Sequence, residues 1–253
     1  MLPIRDRNPS SVKPYVTYTL IGVNVLIFLL ELSLPSETLR QVIMALGMVP
    51  ERVTAVLQGE GKLLLHLIIP AFTSMFLHGG WIHLIGNMWY LFIFGDNVEG
   101  RLGRSQFLGF YLACGLCAQI AQYALSPGGQ VPVIGASGAI AGVLGAYLIC
   151  WPAARIITLL PIFFFITFVE LPALVVLGFW FIIQFFQGAA SLGTTFASGG
   201  VAYWAHVGGF AAGAALIKLL SADKKKRKDK RRPPDRRQRG WQDRQSDFTD
   251  YFR

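Results

Sequence analysis

Charge is scarce in this sequence. Asp, Glu, Lys and Arg make up 15% of its 253 residues, against about 25% in an ordinary soluble domain. That leaves too few charges to cover a water-facing surface of this size, so a plain soluble globule is excluded and lipid is the alternative solvent. Cysteine is scarce too. The three present, Cys114, Cys117 and Cys150, all lie inside apolar stretches. Cys114 and Cys117 form a C-x-x-C, but no second Cys or His pair accompanies them, so they read as thiols packed in a membrane helix. No group of His, Cys and carboxylates converges, and no metal or other cofactor is expected. The body of the chain also lacks a basic face. From Lys218 onward there are 14 Lys and Arg against 6 Asp, whereas the first 217 residues hold 9 basic and 8 acidic side chains. The formal net charge of +9 is a property of the tail, which argues against a nucleic-acid partner.

What the chain does have is long apolar runs. The first, YVTYTLIGVNVLIFLLEL over 15–32, is long enough to cross a bilayer's hydrocarbon core. It exceeds a signal-peptide core and has no clear small-residue cleavage site after it, so a retained helix is expected. Further apolar segments fall at about 77–95, 105–125, 135–151, 172–188 and 201–220. The expected fold is therefore an all-α polytopic membrane protein with six spanning helices. Residues 1–14 form a cytoplasmic N-terminal segment, 15–220 the membrane domain, and 221–253 a disordered basic cytoplasmic tail. Residues 33–75 carry Pro35, Pro50, Pro70 and charges of both signs, and read as a large first loop with short amphipathic pieces. The apolar stretch ARIITLLPIFFFITFVELP is broken by Pro161 and Pro172, and reads as an interfacial or re-entrant piece.

With the N-terminus inside, the inner segments carry 20 of the 23 Lys and Arg, and the outer loops hold only Arg40, Arg52 and Lys62. The positive-inside rule then places both termini in the cytoplasm. The basic tail, with almost no aliphatic residues, suits attraction to anionic lipid head groups at about 1 kcal/mol per basic residue near the surface. A plain topology anchor is the other reading.

Polar residues deep in apolar helices are costly and usually have a reason to be there. His83 and Asn87 lie four residues apart in GGWIHLIGNMWYLF, hence on one helix face. Ser137 lies in VIGASGAIAGVLGAYL and His206 in VAYWAHVGGFAAGAAL. Each has a bland reading alone: a small residue for close helix packing, a structural or proton-relaying histidine, an interhelical amide. Together they fall near the starts of the second, fourth and sixth helices, all running from outside to inside, and so share one depth near the outer side. Independent packing residues have no reason to share a level. A buried polar site open to external water does.

Gly209 and Gly213 share a helix face with His206, and Gly138, Gly142 and Gly145 thin the fourth helix comparably. Small residues let backbones approach, as a Ser–His hydrogen bond of about 2.6–3.2 Å requires. In that arrangement Ser137 is the candidate nucleophile and His206 its base. No Asp or Glu is expected at this depth, since Asp96, Glu99 and Glu170 fall toward the inner side. A Ser–His dyad is therefore expected in place of a triad, with the imidazole oriented by packing and helix position. Attack on a carbonyl makes an oxyanion. Its candidate donors are Asn87, His83 and the first N–H groups of the helix that Ser137 opens. Gly135 would let backbone sit close to a substrate.

These residues resemble the rhomboid family of intramembrane serine proteases. The likeness lies in GASG around Ser137, the AH-x-x-G-x-x-x-G run from Ala205 through His206 and Gly209 to Gly213, and H-x-x-x-N from His83 to Asn87. A fourth element, G-x-x-x-E-x-x-x-G-x-x-x-F, passes through Gly95, Glu99, Gly103 and Phe107. The motifs run in matching order over about 15–220. The resemblance implies a rhomboid-like six-helix bundle that hydrolyses peptide bonds in or near membrane-spanning segments of membrane proteins. It implies Ser137 as nucleophile, His206 as base, His83 and Asn87 as oxyanion group, and Glu99 as a structural tie from the second helix to the following loop. Some members carry a Tyr four residues after the serine, under the histidine ring, where this chain has Ala141. Many carry Trp-Arg in the first loop, where this chain has Pro50-Glu51-Arg52. The expected substrates are single-pass or other membrane proteins, in a bacterial inner membrane, with the site opening to the outer side.

Two other classes are weighed against this reading. A non-catalytic member that binds membrane helices typically lacks the serine or the histidine, and both are here. A small transporter would need a polar path to the other face and often an internal repeat, and neither is visible.

Overall fold

A computed structural model describes residues 1–231 apart from 9, 11, 163–164 and 193–200. Met1–Lys218 form one compact unit, and the described residues from Leu219 onward belong to a second. The helices are α1 (Tyr15–Leu32), α2 (Ser36–Leu46), α3 (Pro50–Leu57), α4 (Ile69–Thr73), α5 (Trp81–Leu102), α6 (Arg104–Leu125), α7 (Ser137–Cys150), α8 (Ala173–Ser191) and α9 (Tyr203–Arg231). Among the described residues three strands accompany them: β1 (Leu2–Asp6), β2 (Arg155–Ile162) and β3 (Phe165–Pro172).

Among the described residues, four helices, α1, α6, α8 and the Tyr203–Ser221 part of α9, are long and apolar enough to span a membrane. Helix α5 passes the same test together with Leu64–Phe76, from which it is bent by 80°. The sixth expected span, α7, has 14 residues and rises only about 21 Å, less than the hydrocarbon thickness of about 30 Å. It is also the most enclosed, with Gly138 to Tyr147 buried without interruption. A helix sheathed in other helices does not have to cross the whole bilayer, and starting short places its first residue, Ser137, within the bundle. The whole is a mostly helical membrane bundle consistent with six spans, as expected.

The fold adds one thing to the all-α expectation. The stretch broken by Pro161 forms the hairpin β2–β3, with Arg155 opposite Pro172 and Ile162 opposite Phe165. The N-terminal strand β1 then joins β2 antiparallel, from Leu2 opposite Leu159 to Asp6 opposite Ile156. The alternating Ile, Thr, Leu and Val of these segments suit a pleated ladder, where their backbone groups find partners that a short helix between two prolines could not supply. An ion pair from Arg7 to Glu170 at 2.7 Å spans the sheet. Asn97 of α5 donates its amide to Asp6 at 2.8 Å, and Trp89 donates to the Pro3 carbonyl at 2.7 Å. Burial pushes the Asp6 carboxyl above its ordinary value, against the opposing hydrogen bonds from Asn8 and Asn97.

Glu99 corrects one expectation. Its carboxylate accepts from the backbone N–H of Val16 at 3.0 Å and from the N–H and hydroxyl of Thr17, both at 2.8 Å. It ties α5 to the first turn of α1, not to the following loop. The reason is local: Pro14 precedes α1 and offers no capping side chain, so the helix's orphan donors are satisfied from outside. Gly95 lies one turn before it, where a Cβ would press on Thr17 at 2.9 Å. Gly103, at φ +83°, is the single residue between α5 and α6, and a side chain is disfavoured in that conformation.

The first loop holds α2, α3 and a π-helical turn at Leu64–Ile68. It buttresses the approach to α7. Met48 and Val133 exchange backbone hydrogen bonds at 3.2 and 2.8 Å, and Glu51 N–H donates to the Gly129 carbonyl. Within the loop, Arg52 donates to the Met44 carbonyl.

The expected disordered tail begins inside α9, whose backbone stays helical to Arg231. Residues 232–253 lie outside the described residues.

Candidate active site

Three helix N-termini meet at one end of the bundle. Ser137 is the first residue of α7, His83 the third of α5, and His206 the fourth of α9. What brings α7 and α9 together is a seam of glycines in which backbone rests on backbone. A Cβ on Gly209 would overlap the Gly138 carbonyl, one on Gly213 the Gly142 carbonyl, and one on Gly145 the Phe210 carbonyl. On the other flank of α7, a Cβ on Gly142 would strike Cys114, and one on Gly138 would come within 2.6 Å of Ala118. Cys114 is therefore a packing partner, fully buried and unpaired.

With the axes held that close, the Ser137 hydroxyl lies 2.8 Å from His206 Nε2, within the range for proton transfer. The other ring nitrogen, Nδ1, lies 2.6 Å from Gln184 Oε1 on α8. The Trp180 ring, one turn earlier on α8, packs at 5.8 Å between centroids and 34° from the imidazole plane. It supplies the aromatic neighbour that Ala141 cannot.

His83 and Asn87 face the same cavity, of about 860 Å³, which Ser137, Gly135, Trp180 and His206 also line. Gly135 has φ +114°. A Cβ there would sit 2.6 Å from His83 Nε2 and 3.6 Å from Asn87 Nδ2, so the absent side chain is what lets these donors reach the approach to Ser137. The Gly135 N–H is turned away, donating to the Ser74 carbonyl at 2.8 Å. Asn87 Nδ2 is buried and has no hydrogen-bond partner among the described residues. An amide donor left bare in such surroundings is expensive unless something arrives to accept from it.

The structure therefore brings Ser137, His206, His83, Asn87, Gly135 and Gly138 around one cavity, with Gly209 and Gly213 in the seam behind it. Gly95, Glu99 and Gly103 lie toward the other end of α5. Gln184 and Trp180 went unnoticed in the sequence reading. The available signal was Gln184, an amide in the apolar run ALVVLGFWFIIQFF, but nothing local says which neighbour it faces. His78 was missed as well. It is buried, its ring lies 5.1 Å from that of His83, and its N–H donates to the Glu31 carboxylate at 3.3 Å.

A helical bundle with apolar spans around a cavity into which a serine, two histidines and an amide converge defines an integral membrane protein with an internal site. The rhomboid domain model matches residues 66–223, more than half of the chain, and the chain belongs to the rhomboid family. It is 39% identical over 137 residues to the rhomboid protease GluP of Bacillus subtilis, covering 54% of this chain and 24% of that protein. It is 37% identical over 131 residues to presenilin-associated rhomboid-like protein A, mitochondrial, of Danio rerio, covering 49% and 34%. The human presenilin-associated rhomboid-like protein, mitochondrial, matches at 34% over 137 residues, covering 50% and 35%. The chain thus spans well under half the length of these curated relatives.

Proposed function

We propose that this protein is an intramembrane serine protease that hydrolyses peptide bonds in or near membrane-spanning segments of other membrane proteins. The observation that carries the reading is the 2.8 Å approach of the Ser137 hydroxyl to His206 Nε2, beside a buried amide donor, Asn87 Nδ2, with no partner among the described residues.

As the Ser137 oxygen attacks the scissile carbonyl carbon, its proton passes to His206 Nε2. The carbonyl oxygen becomes an oxyanion, which Asn87 Nδ2, a ring N–H of His83 and the first-turn N–H groups of α7 stabilise in this reading. The tetrahedral adduct collapses, the C–N bond breaks, and His206 gives its proton to the leaving amine. Water then attacks the acyl-serine with His206 again as base, releasing the acid and restoring Ser137. A peptide bond inside an intact helix is shielded, so a substrate has to unwind locally to reach Ser137. Small or helix-breaking residues near the cut lower that barrier. The charge distribution supports cytoplasmic termini and a site opening to the outer side of the membrane. It also suits contact of the basic tail with anionic lipid.

The test is cleavage of a model single-pass substrate in reconstituted membranes, together with labelling by a serine-reactive phosphonate. Ser137→Ala and His206→Ala are each expected to fall to background while remaining folded. If Ser137→Ala still cuts, the nucleophile assignment is wrong. If the parent neither cuts nor labels, the chain is a binding member of the family.

A further inference from the structure

We propose that Gln184 of α8 is a positioning residue for His206, completing a hydrogen-bond chain from Gln184 through the imidazole to Ser137; this rests on the protease reading above. A neutral imidazole has one N–H and one bare nitrogen, and which is which follows from their partners. Gln184 Oε1, an oxygen that only accepts, lies 2.6 Å from His206 Nδ1. The proton therefore belongs on Nδ1, and Nε2 is left bare facing the Ser137 hydroxyl at 2.8 Å. That is the tautomer a general base requires. With the amide turned the other way, its NH2 would donate to Nδ1, Nε2 would carry the proton, and Ser137 would face no base.

The placement has two further supports. Gln184 is half-buried in a helix whose neighbours on either side, Ile182, Phe185 and Phe186, are exposed apolar side chains. An amide there is costly unless it is used. Trp180, one turn before it, lies over the same imidazole, so one face of α8 holds the ring by both an edge and a plane. In a Ser–His–Asp triad the third member orients the histidine and also stabilises the imidazolium by its charge. An amide can do only the first. Gln184 thus fixes the tautomer and the ring angle and leaves the base without a countercharge. The Ser137–His206 distance comes from the α7–α9 seam, while the proton's position on the ring comes from a different helix.

The experiment uses the full chain in lipid nanodiscs, with ¹⁵N-labelled histidine, and compares the parent with Gln184→Leu and Gln184→Glu. In the parent, the ¹⁵N signals of His206, assigned by their loss in His206→Ala, are expected to show a protonated Nδ1 and a bare Nε2. Gln184→Leu keeps the side-chain volume but removes the acceptor. It is expected to lose that tautomer preference and to lower kcat about ten- to a hundredfold with KM little changed, the usual scale for the loss of an orienting partner. Gln184→Glu restores an acceptor and adds a charge. Activity should return, with the acid limb of the pH–rate profile moved to higher pH, because the carboxylate favours the imidazolium. A purely structural Gln184 would leave tautomer and pH profile unmoved. A parent with its proton on Nε2, or a Leu variant with parental tautomer and kcat, overturns the assignment. A parent that shows the Nδ1 proton yet cuts and labels nothing overturns the protease reading alone.

Discussion

Helices α7 and α8 are both apolar and both touch α9, but they are joined to it in opposite ways. Against α7, the contact is backbone on backbone: Gly209 on the Gly138 carbonyl, Gly213 on the Gly142 carbonyl, Gly145 on the Phe210 carbonyl. Against α8, it is side chain on side chain, with Phe181 and Phe210 rings 4.7 Å apart and Phe185 meeting Trp204 at 5.8 Å. Helix α7 is buried through ten successive residues, whereas the buried residues of α8 are Ala173, Val176, Leu177 and Gly188. A backbone seam has no rotamers with which to adjust, so it sets a distance. An aromatic contact can be remade in several geometries, so it sets a preference. The Ser137–His206 spacing rests on the first kind of join, and the orientation of the His206 ring on the second.

The same substitution made in the two places should give opposite signs. Gly209→Ala inserts a methyl into the Gly138 carbonyl, and one helix has to move away. We expect a loss of about 3 kcal/mol, the upper end for overpacking, seen as a lower unfolding midpoint in a denaturing-detergent titration, with cleavage abolished as Ser137 and His206 part. A midpoint equal to the parent's would mean the seam is not rigid. Phe181→Leu removes a ring from the α8–α9 contact and should lower stability by about 1 kcal/mol. Its activity should fall less than that of Gly209→Ala. An equal fall would place α8 on the same footing as α7. Gly178→Ala on α8 is the smallest change. A Cβ there has nothing within 4 Å, so the general preference of a helix for Ala over Gly should show as a gain of about 0.5–1 kcal/mol. A loss in that variant would reveal a contact on α8 from outside this chain.

Much of this was legible in the residues because periodicity and cost are local. Apolar runs too long for a soluble core set out the spans. The expected 105–125 and 172–188 became Arg104–Leu125 and Ala173–Ser191. Polar residues at the heads of three such runs marked one level, and His83, Asn87, Ser137 and His206 do line one cavity. The hairpin at 155–172 was not legible, because an apolar stretch between prolines satisfies its backbone only by pairing, and its second partner, Leu2–Asp6, comes from the far end of the chain. The tie from Glu99 was misplaced for a related reason. A carboxylate in a helix advertises that it needs donors, but only the packing of α1 against α5 says whose they are.

The sequence by itself determined that the chain lives in lipid, where its apolar runs fall, and which polar side chains sit among them at a cost, since each follows from the cost of placing a given group in a given solvent. Only the tertiary structure decided how those side chains face one another. The 2.8 Å between Ser137 and His206, the amide of Gln184 behind the ring, the unpartnered amide of Asn87 and the capping of α1 by Glu99 all depend on angles and separations between helices far apart in the chain. Those are fixed by how backbones and small residues pack in three dimensions, which one-dimensional spacing does not encode.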